Sequence, residues 1–415
     1  MRGSGWPYPL PLILRHALIA LRGARKWLVL SKAHVHCVKN EGKLRGVNMG
    51  GLDFSAPYNN DPETLEEIFR LGRVGENRIK EIYLSGPQEY SGSGRITDEL
   101  SLSQFIDIVD AIHREGIGVN LILNPTCGGA SWYLPDVLNT TIEFLRQVHE
   151  EHGVEAVTIA NPLYIREVRR HFPDMEICAS VLGDIDCVQR AVLYHRAGAD
   201  VITPDVNINR DLKLLKEIKE AAGVELKLMV NEGCLYKCPF RKFHFNYISH
   251  KSKELGTIEG DAFFANCLRV TSEDHSQILK SGWIRPEDTR KYGEIATFFK
   301  IVGRARPRSM VIRATKAYLQ ESWDGDLLDI VSSSLNRFGL EYGAYLDNKS
   351  LDRYNFFEKI TSCDMNCNRC SYCAEVAKDL IKLRVLTRGK LEDVGFKDAA
   401  DELERAGRLP QQAFQ

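Results

Sequence analysis

From Gly51 onward, eight short runs rich in apolar and β-branched residues alternate with stretches of helical period. This alternation constrains the fold more than any other feature of the chain. It predicts strands over Leu52–Ala56, Ile79–Leu84, Gly118–Leu123, Ala156–Ile159, Glu176–Val181, Ala199–Thr203, Glu225–Val230 and Thr297–Val302. The intervening helices are expected at Pro62–Leu71, Leu102–Arg114, Val137–His152, Tyr164–His171, Ile185–Ala197, Arg210–Ala222, Pro286–Glu294 and Pro307–Glu321. Asp61 before Pro62 is a helix-start signal, and Gly116, Gly153, Gly198 and Gly223 stand where left-handed caps belong. Strand–helix units at this spacing imply a parallel sheet with helices outside it, and closure into a (β/α)8 TIM-type barrel is the economical solution at roughly 250 residues. An open doubly wound sheet is the runner-up. It is disfavoured because no G-x-G-x-x-G follows the first strand.

Two segments depart from the repeat. Residues 231–283 form a long insertion after the seventh strand, and residues 324–415 read as a small cysteine-rich C-terminal domain after a barrel spanning 49–323. Residues 1–48 read as an N-terminal extension, with a start ahead of Met49 or a surface helix as alternatives. Arg15, Arg22, Arg25 and Lys26 interrupt its apolar stretches, so no integral membrane span is expected. The formal net charge of −1 leaves no global basic field for nucleic acid. An odd count of 11 cysteines without an export signal points to a reducing cytoplasm and to metal ligation rather than disulfides.

In such barrels, chemistry gathers at the carboxyl ends of the strands. Read there, the chain offers Asn59, Asn124, Asn161, Asn207, Asn209 and Asn231 as amide donors and acceptors for a polar ligand. Asp205, Arg210, Glu232 and Arg304 are the candidate catalytic or orienting charges, with Arg241 and His244 close behind. The bland reading of these Asn residues is helix capping and Asx turns.

Seven cysteines sit late in the chain. Cys234 and Cys238, in N-E-G-C-L-Y-K-C-P-F-R, lie just past the seventh strand, and Cys267 follows within the insertion. Cys363, Cys367, Cys370 and Cys373 form a C-x3-C-x2-C-x2-C run. Packing cysteines have no reason to recur every third residue among Asp, Asn and Arg. Four thiols within eleven residues suit an iron–sulfur cluster better than zinc, whose structural sites usually pair two knuckles across a longer loop. Zinc remains the alternative, with His244 and His250 near the first pair. Cys37, Cys127, Cys178 and Cys187 are isolated, and Cys178 is expected in the core.

N-E-G-C-L-Y-K-C-P-F-R-x-x-H at 231–244, S-G-W-I-R-P-E-D at 281–288, F-K-I-V-G-R at 299–304 and Y-L-D-N-K-S-L at 345–351 resemble the U32 peptidase family, over about residues 52–373. The resemblance implies either collagenase-like peptidase activity or iron–sulfur chemistry. In the latter branch, members hydroxylate ubiquinone precursors, tRNA or rRNA without oxygen, using prephenate as oxygen source. It also implies that Cys234, Cys238 and Cys267 hold a [4Fe-4S] cluster. The cysteines here depart from the family's S-G-x-C arrangement. The fourth ligand is therefore open between Cys363 and a separate second cluster in the 363–373 run.

Three functions follow as expectations. The first is an iron–sulfur enzyme modifying a polar small molecule or RNA at the barrel mouth. The second is a metal- or thiol-dependent peptidase, although neither G-x-S-x-G nor H-E-x-x-H occurs. The third is a non-catalytic cluster protein serving structure or electron transfer. A paralogous U32-like subunit or an electron-transfer protein is the expected partner.

Overall fold

The computed structural model describes residues 50–251, 262–333 and 342–385, apart from Ser91 and Ile96. The expected extension over 1–48, with Cys37, lies outside these residues. The eight barrel strands are β1 (Asp53–Pro57), β2 (Asn77–Ser85), β3 (Gly118–Leu123), β4 (Ala156–Ile159), β5 (Glu176–Ala179), β6 (Val201–Ile202), β7 (Glu225–Met229) and β8 (Phe298–Lys300). Each pairs in parallel with the next, and β8 returns to β1 with Phe54 opposite both Phe299 and Ile79. The sheet is therefore a closed eight-stranded barrel, and the open doubly wound alternative is excluded.

All eight predicted strands form within a few residues of their expected bounds. The sequence reading did not anticipate Arg73–Val74, a two-residue strand that turns back antiparallel onto β2. The outer ring contains α1 (Pro62–Leu71), α2 (Leu102–Arg114), α3 (Pro135–Arg146), α4 (Pro162–His171), α5 (Val188–Ala197) and α6 (Leu212–Ala222). Local chemistry fixes their ends. Asp61 accepts from the Glu63 amide, Ser101 and Gln104 form a reciprocal capping box, and Asn161 accepts from the Leu163 amide. Gly198 and Gly223 close α5 and α6 at positive φ. The predicted helix Val137–His152 is α3 followed by a π-helical turn over Gln147–Glu151, and the predicted Pro286–Glu294 is a 3-10 helix over Pro286–Tyr292.

After β7 the insertion carries α7 (Arg241–Lys251), α8 (Ala262–Glu273) and α9 (Ser276–Lys280); α10 (Arg308–Leu319) completes the ring. Beyond it lie α11 (Phe356–Thr361) and α12 (Tyr372–Leu380). Helix α12 stops at Leu380, because Ile381–Val385 pairs antiparallel with Tyr342–Leu346. These late elements are stitched to the barrel. Ser332–Ser333 pairs in parallel with Glu232–Gly233 of the insertion. Arg285 forms a buried ion pair with Asp288 at 2.8 Å and donates to the Asn348 carbonyl and to Asp352. Two motifs that carried the resemblance, S-G-W-I-R-P-E-D and Y-L-D-N-K-S-L, thus clamp one another. Gly282 is required at this junction, since a Cβ there would lie 2.1 Å from the Val206 carbonyl oxygen.

Candidate active site and cysteine pocket

The barrel interior is not uniformly apolar. Strand β2 turns Glu81, Tyr83 and Ser85 inward, β7 contributes Lys227, and β8 contributes Lys300. Glu81 is fully buried, and Lys227 Nζ meets its Oε1 at 2.7 Å. Ser55 and Asn120 also donate to this carboxylate, and Thr158 donates to Asn120. Burial alone would raise the Glu81 carboxyl, but Lys227 and these donors hold it below its usual range. Burial would likewise discharge Lys227, but Cys178 and Glu81 keep it charged.

One layer above, at the carboxyl ends of the strands, an open cleft forms. Arg95, Lys300, Arg304 and Arg306 line it, together with Asn124, Thr158, Ser180, Thr203, Glu232 and Ser332. Arg304 donates to Ser85 at 2.6 Å and to Ser93 at 3.0 Å, and its pKa falls to about 10, chiefly through burial. Arg95 pairs with Glu232 at 3.2 Å and lies over the Phe245 ring. Arg306 donates to Ser332. Asn124 bridges the Gly94 amide and the Ser180 hydroxyl. Four cations therefore share the cleft with one carboxylate, and the cleft's surplus charge is positive.

Of the residues predicted for this mouth, Asn124, Glu232 and Arg304 line the cleft. The amides of the other Asn residues are engaged with the protein. Asn209 donates to the Met229 and Gly282 carbonyls, and Asn231 donates to the Val302 and Ile330 carbonyls. Asn207 bonds Asp205 and accepts from the Lys237 amide. Asn59 donates to the Arg306 carbonyl, and Asn161 caps α4. Asp205 is buried and caps the short turn that contains Asn207. His244 stacks on Phe263 within the insertion. Sequence reasoning missed Lys300, Arg95, Arg306 and Tyr83. Charge inside the strands, as in L-K-L-M and F-F-K, signalled a polar barrel interior but did not by itself place Lys300 in the cleft, and Arg95 and Arg306 lie outside the strands.

The insertion reaches this mouth through Cys234, whose thiol lies 3.0 Å from Glu232. Burial, with Glu232 beside it, pushes that thiol up to about 12. Arg241 is buried over the Phe245 ring, and its Nε, Nη1 and Nη2 have no hydrogen-bond partner. Cys238 opens the turn into α7, and Cys267 lies on α8. Cys178 is fully buried in β5, in contact with the Thr203 hydroxyl.

Cys363, Cys367, Cys370 and Cys373 line a second cavity, of about 350 Å³, beside Arg210, Tyr236, Lys280 and Lys359. The first three thiols are exposed and Cys373 is half-buried. Among the described residues, no three His, Cys, Asp or Glu side chains stand at metal-ligating separation. The donor set nevertheless fits an anionic cluster. Four soft thiols face three cations, and buried Arg210 Nε and Nη2 have no hydrogen-bond partner. Arg210 lies 5.5 Å from the Trp283 ring and 5.7 Å from that of Phe356.

Fold and cleft together define a (β/α)8-barrel protein with a cationic site at the carboxyl ends of its strands. Residues 68–258 match the model of peptidase family U32. A Methanocaldococcus jannaschii protein named an uncharacterized protease is 30% identical over 341 residues, covering 80% of this chain and 99% of its own length. The chain belongs to peptidase family U32. Solved structures similar to it include a U32 peptidase, at 19% identity, 63% coverage of this chain, 97% of its own and a TM-score of 0.47. A chitinase from Rhizomucor miehei aligns at 10% identity, 65% of this chain, 98% of its own and a TM-score of 0.35. No described helix is long and apolar enough to cross a membrane.

Proposed function

We propose that the barrel mouth binds a small, polar, anionic substrate and that Cys363, Cys367, Cys370 and Cys373 hold a [4Fe-4S] cluster serving an oxygen-independent modification of it. The observation carrying this reading is the charge of the cleft, where among the described residues Arg95, Lys300, Arg304 and Arg306 face only Glu232. A carboxylate or phosphate entering there would supply the missing countercharge and could accept paired hydrogen bonds from guanidinium groups. When bound, a cluster held by these four thiolates would supply one-electron transfer. The protein's own residues orient the substrate: Arg304 is fixed by Ser85 and Ser93, and Asn124 by Gly94 and Ser180.

Peptide cleavage by Cys234 is less well supported. Its thiol contacts a carboxylate, whereas a thiol protease needs a histidine base and a readily formed thiolate. The test is purification without oxygen, followed by iron, acid-labile sulfide and zinc analysis with an absorption spectrum. Iron and sulfide that vanish on replacing Cys363 and Cys370 by Ser are expected; zinc without sulfide would overturn the cluster assignment. Malonate titrated into the protein should bind, and Arg304→Met should weaken it by about tenfold or more, as expected for one charge-assisted hydrogen bond.

A further inference from the structure

Lys300 differs from every other cation of the barrel mouth. It ends β8, is 6% exposed and lines the cleft, yet no hydrogen bond or ion pair engages its Nζ among the described residues. The reason lies one layer below. Glu81, the nearby carboxylate, is already committed to Lys227, Ser55 and Asn120. Lys300 Nζ rests instead on the face of Tyr83, 3.7 Å from the ring centroid, and Tyr83 is pinned by its hydroxyl to the Ile301 carbonyl. The ionisable groups around it are Lys227 on β7, Glu81 on β2, Cys178 on β5 and Arg304 just beyond β8. Burial first, and then Lys227, bring its pKa down to about 7. An amine with these properties is a nucleophile at neutral pH, because a desolvated lysine beside another cation keeps its lone pair.

We infer that Lys300 is an imine-forming residue, and that the cleft takes small 2-oxo acids whose carboxylate is received by the guanidinium groups of Arg95, Arg304 and Arg306. This inference rests on the anionic-substrate reading of the mouth and adds a carbonyl beside the anion. In the step, the ammonium first gives up one proton to solvent, the freed Nζ lone pair attacks the carbonyl carbon, and the carbonyl oxygen takes up one proton from solvent and one from the nitrogen. That oxygen leaves as water, so the ammonium and ketone become an iminium of the same charge plus one water. No oxidant or reductant is consumed.

The experiment uses the full chain, pyruvate and sodium cyanoborohydride, read by intact mass and peptide mapping. One reduced adduct per chain, on Lys300, is expected. At pH 7 its neutral fraction exceeds that of an ordinary lysine by about three orders of magnitude, so its labelling should outpace that of surface lysines by on the order of a hundredfold or more. Lys300→Arg should abolish the adduct; if that variant does not fold, the site mapped on the unaltered chain decides. Malonate, which has no ketone, separates the two readings. Binding of malonate without any pyruvate adduct on Lys300 overturns the imine and leaves the anion site standing. Failure of both overturns both, and an adduct spread over exposed lysines also overturns the imine.

Discussion

The barrel mouth and the cysteine pocket both present buried cations to open space, but they differ in how those cations are satisfied. At the mouth, Arg304 is held by two hydroxyls and Arg95 by Glu232, and one layer below Lys227 is held by Glu81, all on or beside strands of a closed sheet. In the cysteine pocket, Arg210 has two buried nitrogens without partners, and three of the four thiols stand exposed on a short loop. The mouth is preorganised by the protein alone. Under the proposed reading, an anionic cluster would stand opposite the pocket's charges, which is how a site dependent on an inorganic ligand differs from one built for a diffusing substrate.

The sharpest way to break the barrel beneath the mouth is to remove its buried countercharge. Glu81→Ala leaves Lys227 charged, fully buried and unpaired, and should cost about 3–5 kcal/mol in urea unfolding. The cysteine pocket, fastened through Arg285 and Asn348, should be altered only through the loss of global stability. A cost below about 1 kcal/mol would mean that water reaches the barrel interior and that the mouth is less rigid than its hydrogen bonds imply.

A second effect, somewhat smaller, depends on pH. Lys300 has a folded pKa near 7, below the 10.5 of an ordinary lysine. Between those values the unfolded chain binds more protons than the folded one, so this group's contribution to stability rises with pH. Below about pH 7 the folded protein carries the full penalty of a buried, unpaired ammonium. Lys300→Met should therefore stabilise the protein most near pH 6 and progressively less toward pH 9. The change should be on the order of 1 kcal/mol per pH unit in the upper part of that window. Urea midpoints of both proteins at the two pH values check it, and a pH-independent difference would show that Lys300 titrates normally.

The contrast between the two sites also marks what the chain's residues disclosed in advance. The barrel was legible because every strand–helix unit repeats the same apolar period and several caps have a single physical reading, as at Asp61–Pro62 and Gly223. The C-terminal elements were less legible, since Ile381–Val385 becomes a strand only by pairing with Tyr342–Leu346, a long-range contact that leaves no local period. Glu232, Arg304 and Asn124 could be read from strand ends. Lys300 could not be separated from a surface lysine without knowing that Glu81 was already occupied. Asn207, Asn209 and Asn231 share strand-end positions with Asn124, and only their partners reveal that they tie loops together: the Asp205 carboxylate and Lys237 amide for Asn207, backbone carbonyls for Asn209 and Asn231.

Arg304→Met should cost about 1–3 kcal/mol, because Ser85 and Ser93 lose a shared charged partner inside the barrel. The same substitution at Arg210 should give the smallest effect. In iron-free protein, Arg210→Met removes a buried guanidinium without hydrogen bonds at Nε and Nη2, and keeps an apolar side chain against Trp283 and Phe356. The relief of desolvation offsets the lost ring contacts, so stability should stay within about 0.5 kcal/mol of the parent. In protein reconstituted with iron and sulfide under argon, the difference should grow, because the charge opposite an anionic cluster is then missing. Cluster loss to a chelator should be faster in the variant, and the reduction potential should shift to more negative values. A variant that is equally neutral with and without iron would show that Arg210 answers to the aromatic rings alone. The pocket would then be complete as it stands, and the comparison with the mouth would fail.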